Sequence, residues 1–187
     1  VDRARADIIL RFVDTLIKAH LYTSARKILE ELAIKITTSS VHETIIRKSE
    51  ICEGFELWDK FEYEKAFEIL KNYRKEIRAI DFLLKILEKD KNSGYERVFD
   101  SISNALRQAE NGYFDNAVAR LYGALELFAR IRLKRKYGIN TSCLLLGKLP
   151  DSIKEKWSER KDEEGGIKIG LAGSWELHCD LEDETGK

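Results

Sequence analysis

The chain has 187 residues, 35% of them charged and 43% hydrophobic, with 33 Lys and Arg balancing 33 Asp and Glu. This composition excludes disorder, and a formal charge of zero excludes a chain-wide positive field for holding nucleic acid. Purely apolar runs are only a few residues long, such as Ile8-Ile9-Leu10 and Cys143 to Leu146, which is too short to span a bilayer.

Asp2, Arg3, Arg5 and Asp7 interrupt any apolar leader, so the expectation is a soluble, cytoplasmic protein with no membrane partner. A domain of this length buries roughly 70% of its unfolded surface. The chain opens on Val1 and contains no Met, so it reads either as a fragment or as a chain with residues missing. Cys52, Cys143 and Cys179 form neither a disulfide framework nor a CxxC pair, and buried thiols are expected.

Helical periodicity dominates from the start. Ala6, Ile9, Leu10, Val13, Leu16 and Ile17 line one helical face, and Ala25, Ile28, Leu29, Leu32 and Ile36 line a second. The run Thr37-Thr38-Ser39-Ser40 breaks that pattern. Ser40 with Glu43 then forms an S-x-x-E signature that starts a third helix, carrying Val41, Ile45, Cys52 and Phe55 inward. Ala66, Leu70, Tyr73, Ile77, Ile80, Leu84 and Leu87 follow in unbroken steps of four and three. With no Gly or Pro, that seam predicts one long helix of roughly 40 Å. Lys91-Asn92-Ser93-Gly94 is the clearest linker, dividing a helical linker subdomain, 1–92, from a helical bundle, 93–187.

In the second part, Val98, Ile102, Ala105, Leu106 and Ala109 predict a helix that stops at Asn111-Gly112. The next helix is expected from Phe114 to Tyr137, burying Ala117, Leu121, Leu125, Phe128 and Ile131, with Gly138 at positive φ and Ile139 folding back as its cap. Asp151, after Pro150, is expected to cap a polar helix ending at Glu163-Glu164-Gly165-Gly166. The segment from Ile167 to Leu181 carries Gly170 and Gly173 and is a weak helix by itself. Tyr22/Ala25, Tyr63/Ala66 and Phe114/Ala117 repeat an aromatic three residues before an Ala, at unequal spacings of 41 and 51. That echo points to helix-hairpin packing rather than to a regular repeat array. The fold class is all-α, a multi-helix bundle of packed hairpins without a significant sheet.

Candidate chemistry is sparse. His20, at a helix end, His42, in a first turn, and His178, beside Cys179, lack partners at metal-ligand spacing, so surface or capping roles are expected. No HExxH, P-loop, GxGxxG or GxSxG occurs, and no metal or cofactor is expected. Arg130, Arg132, Lys134, Arg135 and Lys136 cluster at a helix end, where they offset the helix dipole or contact phosphate. Tyr122 and Glu126 are neighbours one turn apart, and Arg120 projects elsewhere. Two roles are open for that trio: a buried Arg–carboxylate pair, with Glu126 in a structural pairing, or an Arg presented to phosphate beside a stacking Tyr.

The stretch Gly112-Tyr113-Phe114-Asp115-Asn116-Ala117, then Arg120-Leu121-Tyr122, Glu126, Tyr137-Gly138-Ile139 and Thr141-Ser142 resembles a CRISPR-associated ancillary family of type III systems. Ile167 to Leu171 and the helical lead-in before Gly94 extend the likeness over most of the chain. Members of that family join an N-terminal CARF nucleotide-sensing domain through a helical linker to a C-terminal HEPN-type bundle. The resemblance implies a metal-independent ribonuclease in antiviral defence, switched on by a cyclic oligoadenylate. It cuts with an R-x(4–6)-H motif assembled across a homodimer, the Arg steadying phosphate charge and the His moving protons.

No Arg stands four to six residues before His20, His42 or His178, so no catalytic residue carries over. What the resemblance leaves to this chain is dimerisation, relay from an upstream sensing domain, and contact with single-stranded RNA through Arg120, Tyr122, Arg130, Arg132, Lys134, Arg135 and Lys136. The rival reading is a non-enzymatic, TPR-like helical scaffold that binds a protein partner.

Overall fold

A computed structural model describes residues 3–37, 40–91, 93–161 and 167–185. Thr38 and Ser39 of the expected break, Asn92 of the expected linker and the expected helix end at Glu163 to Gly166 lie outside the described residues. Among the described residues every regular element is helical: α1 (Arg3–Lys18), α2 (Tyr22–Lys35), α3 (Ser40–Asp59), α4 (Tyr63–Leu70), α5 (Ala79–Ile86), α6 (Glu96–Glu110), α7 (Phe114–Tyr137), α8 (Asp151–Ser158) and α9 (Leu171–Thr185), with short 3₁₀ turns at Lys71–Tyr73 and Leu146–Lys148. The all-α architecture read from the periodicity is the one observed. The chain divides into two compact units, Val1–Glu96 and Arg97–Lys187.

The aromatic–Ala echo marks one recurring joint. Helices α1, α3 and α6 each end on a left-handed residue: His20 (φ 60°), Phe61 (φ 62°) and Gly112 (φ 80°). At each end the following N–H reaches back to the last turn, from Leu21 to the Leu16 carbonyl (2.9 Å), Glu62 to Leu57 (2.9 Å) and Tyr113 to Gln108 (2.8 Å). These are Schellman closures. The carbonyls of Leu21, Glu62 and Tyr113 then accept the N–H groups of Ala25, Ala66 and Ala117 at 2.9 to 3.0 Å, so the next helix starts without a spacer. Ala25, Ala66 and Ala117 are all buried, as close helix approach at a hairpin requires.

In the first unit α1, α2 and α3 enclose Val13, Leu29, Leu32, Ile45 and Cys52. Burial pushes the Cys52 thiol up to about 11. Tyr22, Phe55 and Trp58 stack in a row at 5.1 and 6.0 Å and lead into a second core of Ala66, Leu70, Ile80, Leu83 and Ile86.

The single long helix expected through 66–87 is two helices, α4 and α5, separated at 71–78. Lys71, Arg74, Lys75 and Arg78 fall in this break, which begins with the 3₁₀ turn Lys71–Tyr73, and Ile80 and Leu83 join Ala66 and Leu70 in one core. Arg74 then reaches Asp81 at 2.8 Å across the break. The four-and-three spacing survives because both pieces turn the same stripe toward one core.

In the second unit Leu133, Ile139, Leu144, Leu149, Ile153, Trp157, Ile167, Ile169, Leu177 and Leu181 form the core. Gly138 (φ 67°) caps α7, its N–H on the Lys134 carbonyl (3.0 Å), and Ile139 folds back with its N–H on the Leu133 carbonyl (3.2 Å). Pro150 itself holds the N-cap of α8, with Asp151 the first helical residue. The helix ends at Ser158 and is apolar on its inner side, where Ile153 and Trp157 enter the core.

The Gly-bearing last segment does form a helix. Extended backbone just before it bonds to the strand of chain at 141–144, Ile169 N–H to Thr141 (3.2 Å) and Leu144 N–H to Ile167 (3.1 Å). Cys143 and Cys179 are exposed, against expectation. Cys143 sits in the turn after Ile139, and Cys179 points outward beside an inward-facing His178.

Candidate functional site

Helix α7 is 24 residues long. Ala117 and Ala124 are buried on one side of it, and Ala129 and Leu133 are buried about 140° further round, toward its C-terminal end. Phe114 (66% exposed), Val118 (66%), Leu121 (42%) and Leu125 (53%) face outward, which corrects the expectation that Leu121 and Leu125 are core residues. Phe114, Val118, Leu121 and Leu125 lie on the arc of the helix between those two buried pairs. On α6, Val98 and Ala105 of the expected stripe are buried together with Asp100 and Asn104, while Ile102 and Leu106 of that stripe, and Phe99, are exposed. Beside these residues Val98, Ile102, Leu121, Ala124, Leu125, Phe128 and Trp175 line an apolar cavity of about 420 Å³. The Trp175 ring stacks on Phe128 at 5.9 Å.

Next to the outward stripe, Tyr122, Glu126, Arg130 and Lys134 follow at four-residue intervals and so share one ridge of α7. Tyr122, Arg130 and Lys134 are exposed, and Glu126 is half-buried. Arg130 also reaches the Ser142 hydroxyl at 3.5 Å. Arg120 stands off this ridge and is half-buried, whereas Arg135 is exposed.

Arg132 and Lys136 turn toward α9. Each donates to a Glu182 carboxylate oxygen at 3.1 Å, and these bonds hold the Glu182 carboxyl below its usual range. The Arg132 Nε–H also donates to His178 Nε2 at 2.6 Å. His178 is 5% exposed, its ring edge-on to Tyr137 and Trp175 at 5.9 and 6.2 Å. It is therefore a core histidine, which corrects the surface or capping role expected of it. Burial, reinforced by the Arg132 and Lys136 charges, keeps it below the ordinary imidazole value against the pull of Glu182. Because Nε2 accepts from Arg132, the ring proton sits on Nδ1. That atom has no acceptor among the described residues.

The outer face of α9 is tied down by cations of α8 and of the turn that follows it. Lys156 bonds Asp180 at 2.8 Å and Glu176 at 3.0 Å, and Arg160 bonds Glu176 at 2.7 Å. The Trp157 indole N–H donates to Asp180 at 2.9 Å. Burial of Leu177 and Leu181 in the core supports a helix that starts on glycine-rich sequence, and these paired acids add to it at the surface. Periodicity had no means of finding these pairs, which join residues 16 to 50 positions apart.

His20 and His42 keep local roles. Nδ1 of His20 lies 2.8 Å from the Tyr22 hydroxyl, and Nδ1 of His42 bonds the Ile36 carbonyl, linking the end of α2 to the start of α3. Among the described residues no cluster of His, Cys, Asp and Glu is placed to hold a metal ion, and no helix is long and apolar enough to cross a membrane.

In comparisons with known proteins, a family model described as the Csm6 HEPN domain matches residues 86–187. No curated protein and no solved structure matches the chain.

Proposed function

Because the chain belongs to the Csm6 HEPN domain family, a CRISPR-associated HEPN-like group, we propose that it is the dimerising, RNA-contacting part of an RNA-cleaving antiviral effector. The effector would act without a metal and be switched by a cyclic oligoadenylate sensed in a domain upstream. The chain's own share in that activity is to present RNA and to bring two copies together; no residue in it is assigned to cutting.

The observation that carries this reading is the outward face of α6 and α7. Its exposed side chains offer on the order of 800 Å² of apolar area, if each gives about half of what a buried aromatic covers, and a stable interface takes about 800 Å² from each partner. Beside that face, Tyr122 offers a stacking platform; Arg130 lies about 12 Å further along the ridge, past Glu126, and Lys134 about 6 Å beyond it. That is the pattern of an aromatic with trailing cations that a single strand favours, stacking a base and pairing successive phosphates. Arg135 adds a further cation at the helix end. Arg132 and Lys136, already on Glu182, steady α9 behind the ridge.

Fluorescence anisotropy of the full chain with a labelled single-stranded oligoribonucleotide tests the RNA half. Exchanging Arg130 and Lys134 for Ala should lower the slope of log affinity against log salt by about 1.4, two phosphates at about 0.7 each. Tyr122→Ala should weaken binding by about tenfold or more, the size of one lost stack. An unchanged slope together with unchanged affinity would refute the assignment. Sedimentation of the same chain tests the dimer.

A further inference from the structure

We propose that two copies meet in antiparallel fashion along α7 about a two-fold axis at Leu121, and that Phe114 of each copy fills the apolar cavity of the other. The proposal rests on the dimer reading above and names its register.

Five large apolar residues of α7, four exposed and the last, Phe128, half-buried, are arranged almost symmetrically about Leu121. Phe114 lies seven positions before it and Phe128 seven after, with Val118 three before and Leu125 four after. This is heptad spacing, with steps of 4-3-4-3 in one direction and 3-4-3-4 in the other, so turning the helix end for end displaces only the middle pair, by one residue. Turned in this way the seam nearly matches itself: Leu121 meets Leu121, Val118 meets Leu125 with an offset of about 1.5 Å, and Phe114 meets Phe128 of the second copy. An isologous interface demands this self-complementarity.

The cavity lies where the register needs it. Leu121, Ala124, Leu125 and Phe128 form its α7 wall and Trp175 a further wall, so it opens beside the end of the seam that receives Phe114. Its volume of about 420 Å³ is ample for a phenyl ring, since a dry cavity of about 150 Å³ already holds benzene.

Phe114 is also the exception among the three joints. Tyr22 and Tyr63, at the same place in the first two, are 9% and 7% exposed and packed into the chain's own core. Phe114 begins its helix identically yet remains 66% exposed. Its ring belongs to a core that a single chain does not complete.

Cysteine cross-linking of the full chain, with Cys143 and Cys179 changed to Ser and copper phenanthroline as oxidant, reads the register. Leu121→Cys should give a disulfide-linked dimer on a non-reducing gel, and so should a mixture of Val118→Cys chains with Leu125→Cys chains. Phe114→Cys alone should not, because antiparallel helices hold the two 114 positions about 21 Å apart, beyond the reach of a disulfide. Linkage through Phe114→Cys as readily as through Leu121→Cys would mean parallel helices and would overturn the register while leaving the dimer. A dimer in sedimentation with no linkage at any of these positions would overturn it too, placing the interface elsewhere. A monomer at tens of micromolar would instead sink the dimer reading itself, and the register with it. As a second measure, Phe114→Ala should raise the dimer dissociation constant at least tenfold with an unchanged circular dichroism spectrum. Phe12→Ala, removing an equally exposed aromatic of the first unit, should leave it unchanged.

Discussion

Replacing Gly54 with alanine should destabilise the first unit, although the same exchange in a free helix is favourable. Gly54 is buried in the middle of α3, and a Cβ added there would fall 2.5 Å from Leu70 Cγ and 2.6 Å from its Cδ2. Two effects compete. Removing a glycine from a helix interior gains about 0.8–1 kcal/mol, whereas inserting a methyl into a filled core costs about 1–3 kcal/mol. The cost falls toward its upper end, because the clash is with the branching carbon of a side chain that is 0% exposed and enclosed by Trp58, Ala66 and Ile80. A net loss of about 1–2 kcal/mol corresponds to roughly 5- to 30-fold in the opening equilibrium.

Hydrogen–deuterium exchange of peptides from α3 and α4 reads that factor locally, and urea unfolding gives the accompanying fall in midpoint. Gly123→Ala is the control. It lies in the interior of α7 with nothing within 4 Å of the added carbon, so only the propensity gain acts and the second unit should gain about 1 kcal/mol. Unchanged or slower exchange in α3 and α4 of Gly54→Ala would show that these two helices do not approach as closely as the structure has them.

Trp157→Ala should cost about 3–5 kcal/mol, since the indole is fully buried and its N–H is bound to Asp180; differential scanning calorimetry of the second unit's transition checks it. His178 is held below its usual value near 6.5, mainly by burial. The unfolded chain thus accepts a proton that the folded chain resists, so stability is full above about pH 6.5 and falls as the pH drops below it. Urea midpoints between pH 7.5 and 5 should show the fall, and His178→Gln should flatten it. Gly138→Ala places a Cβ at φ 67° and should cost about 1–2 kcal/mol, seen as faster exchange at the end of α7.

Much of the fold was legible because burial imposes a period on the sequence. α1, α2, α3 and α7 begin and end close to where the apolar stripes and turn residues place them, and the Gly138-Ile139 cap has the geometry its residues dictate. The reading failed where the period is degenerate. A stripe continued across 71–78 is satisfied equally by one straight helix facing a partner and by two short helices facing each other. The apolar period does not separate these cases. His178 was misplaced for a related reason. Its environment is built by Arg132, Tyr137 and Trp175, two of which lie on another helix about forty residues away in the sequence.

The candidate site was read less well than the fold, and α7 shows why. Hydrophobic residues at positions 121 and 125 predict burial, and that inference is sound for a chain that completes its own core. On α7 the apolar positions spread over about half the circumference: Ala117 and Ala124 are buried on one side, Ala129 and Leu133 on the other, and Phe114, Val118, Leu121 and Leu125 lie between them and stay exposed. Which part of so wide a band turns inward is a property of the packed unit rather than of the local sequence. Leu121 and Leu125 border an apolar cavity, so the large side chains keep apolar area to offer. Tyr22 and Tyr63 show that the same joint can bury its aromatic when the chain supplies a core. The exposure of Phe114 is thus set by what lies around the joint, and the sequence signal read as interior is equally the signal of an interface.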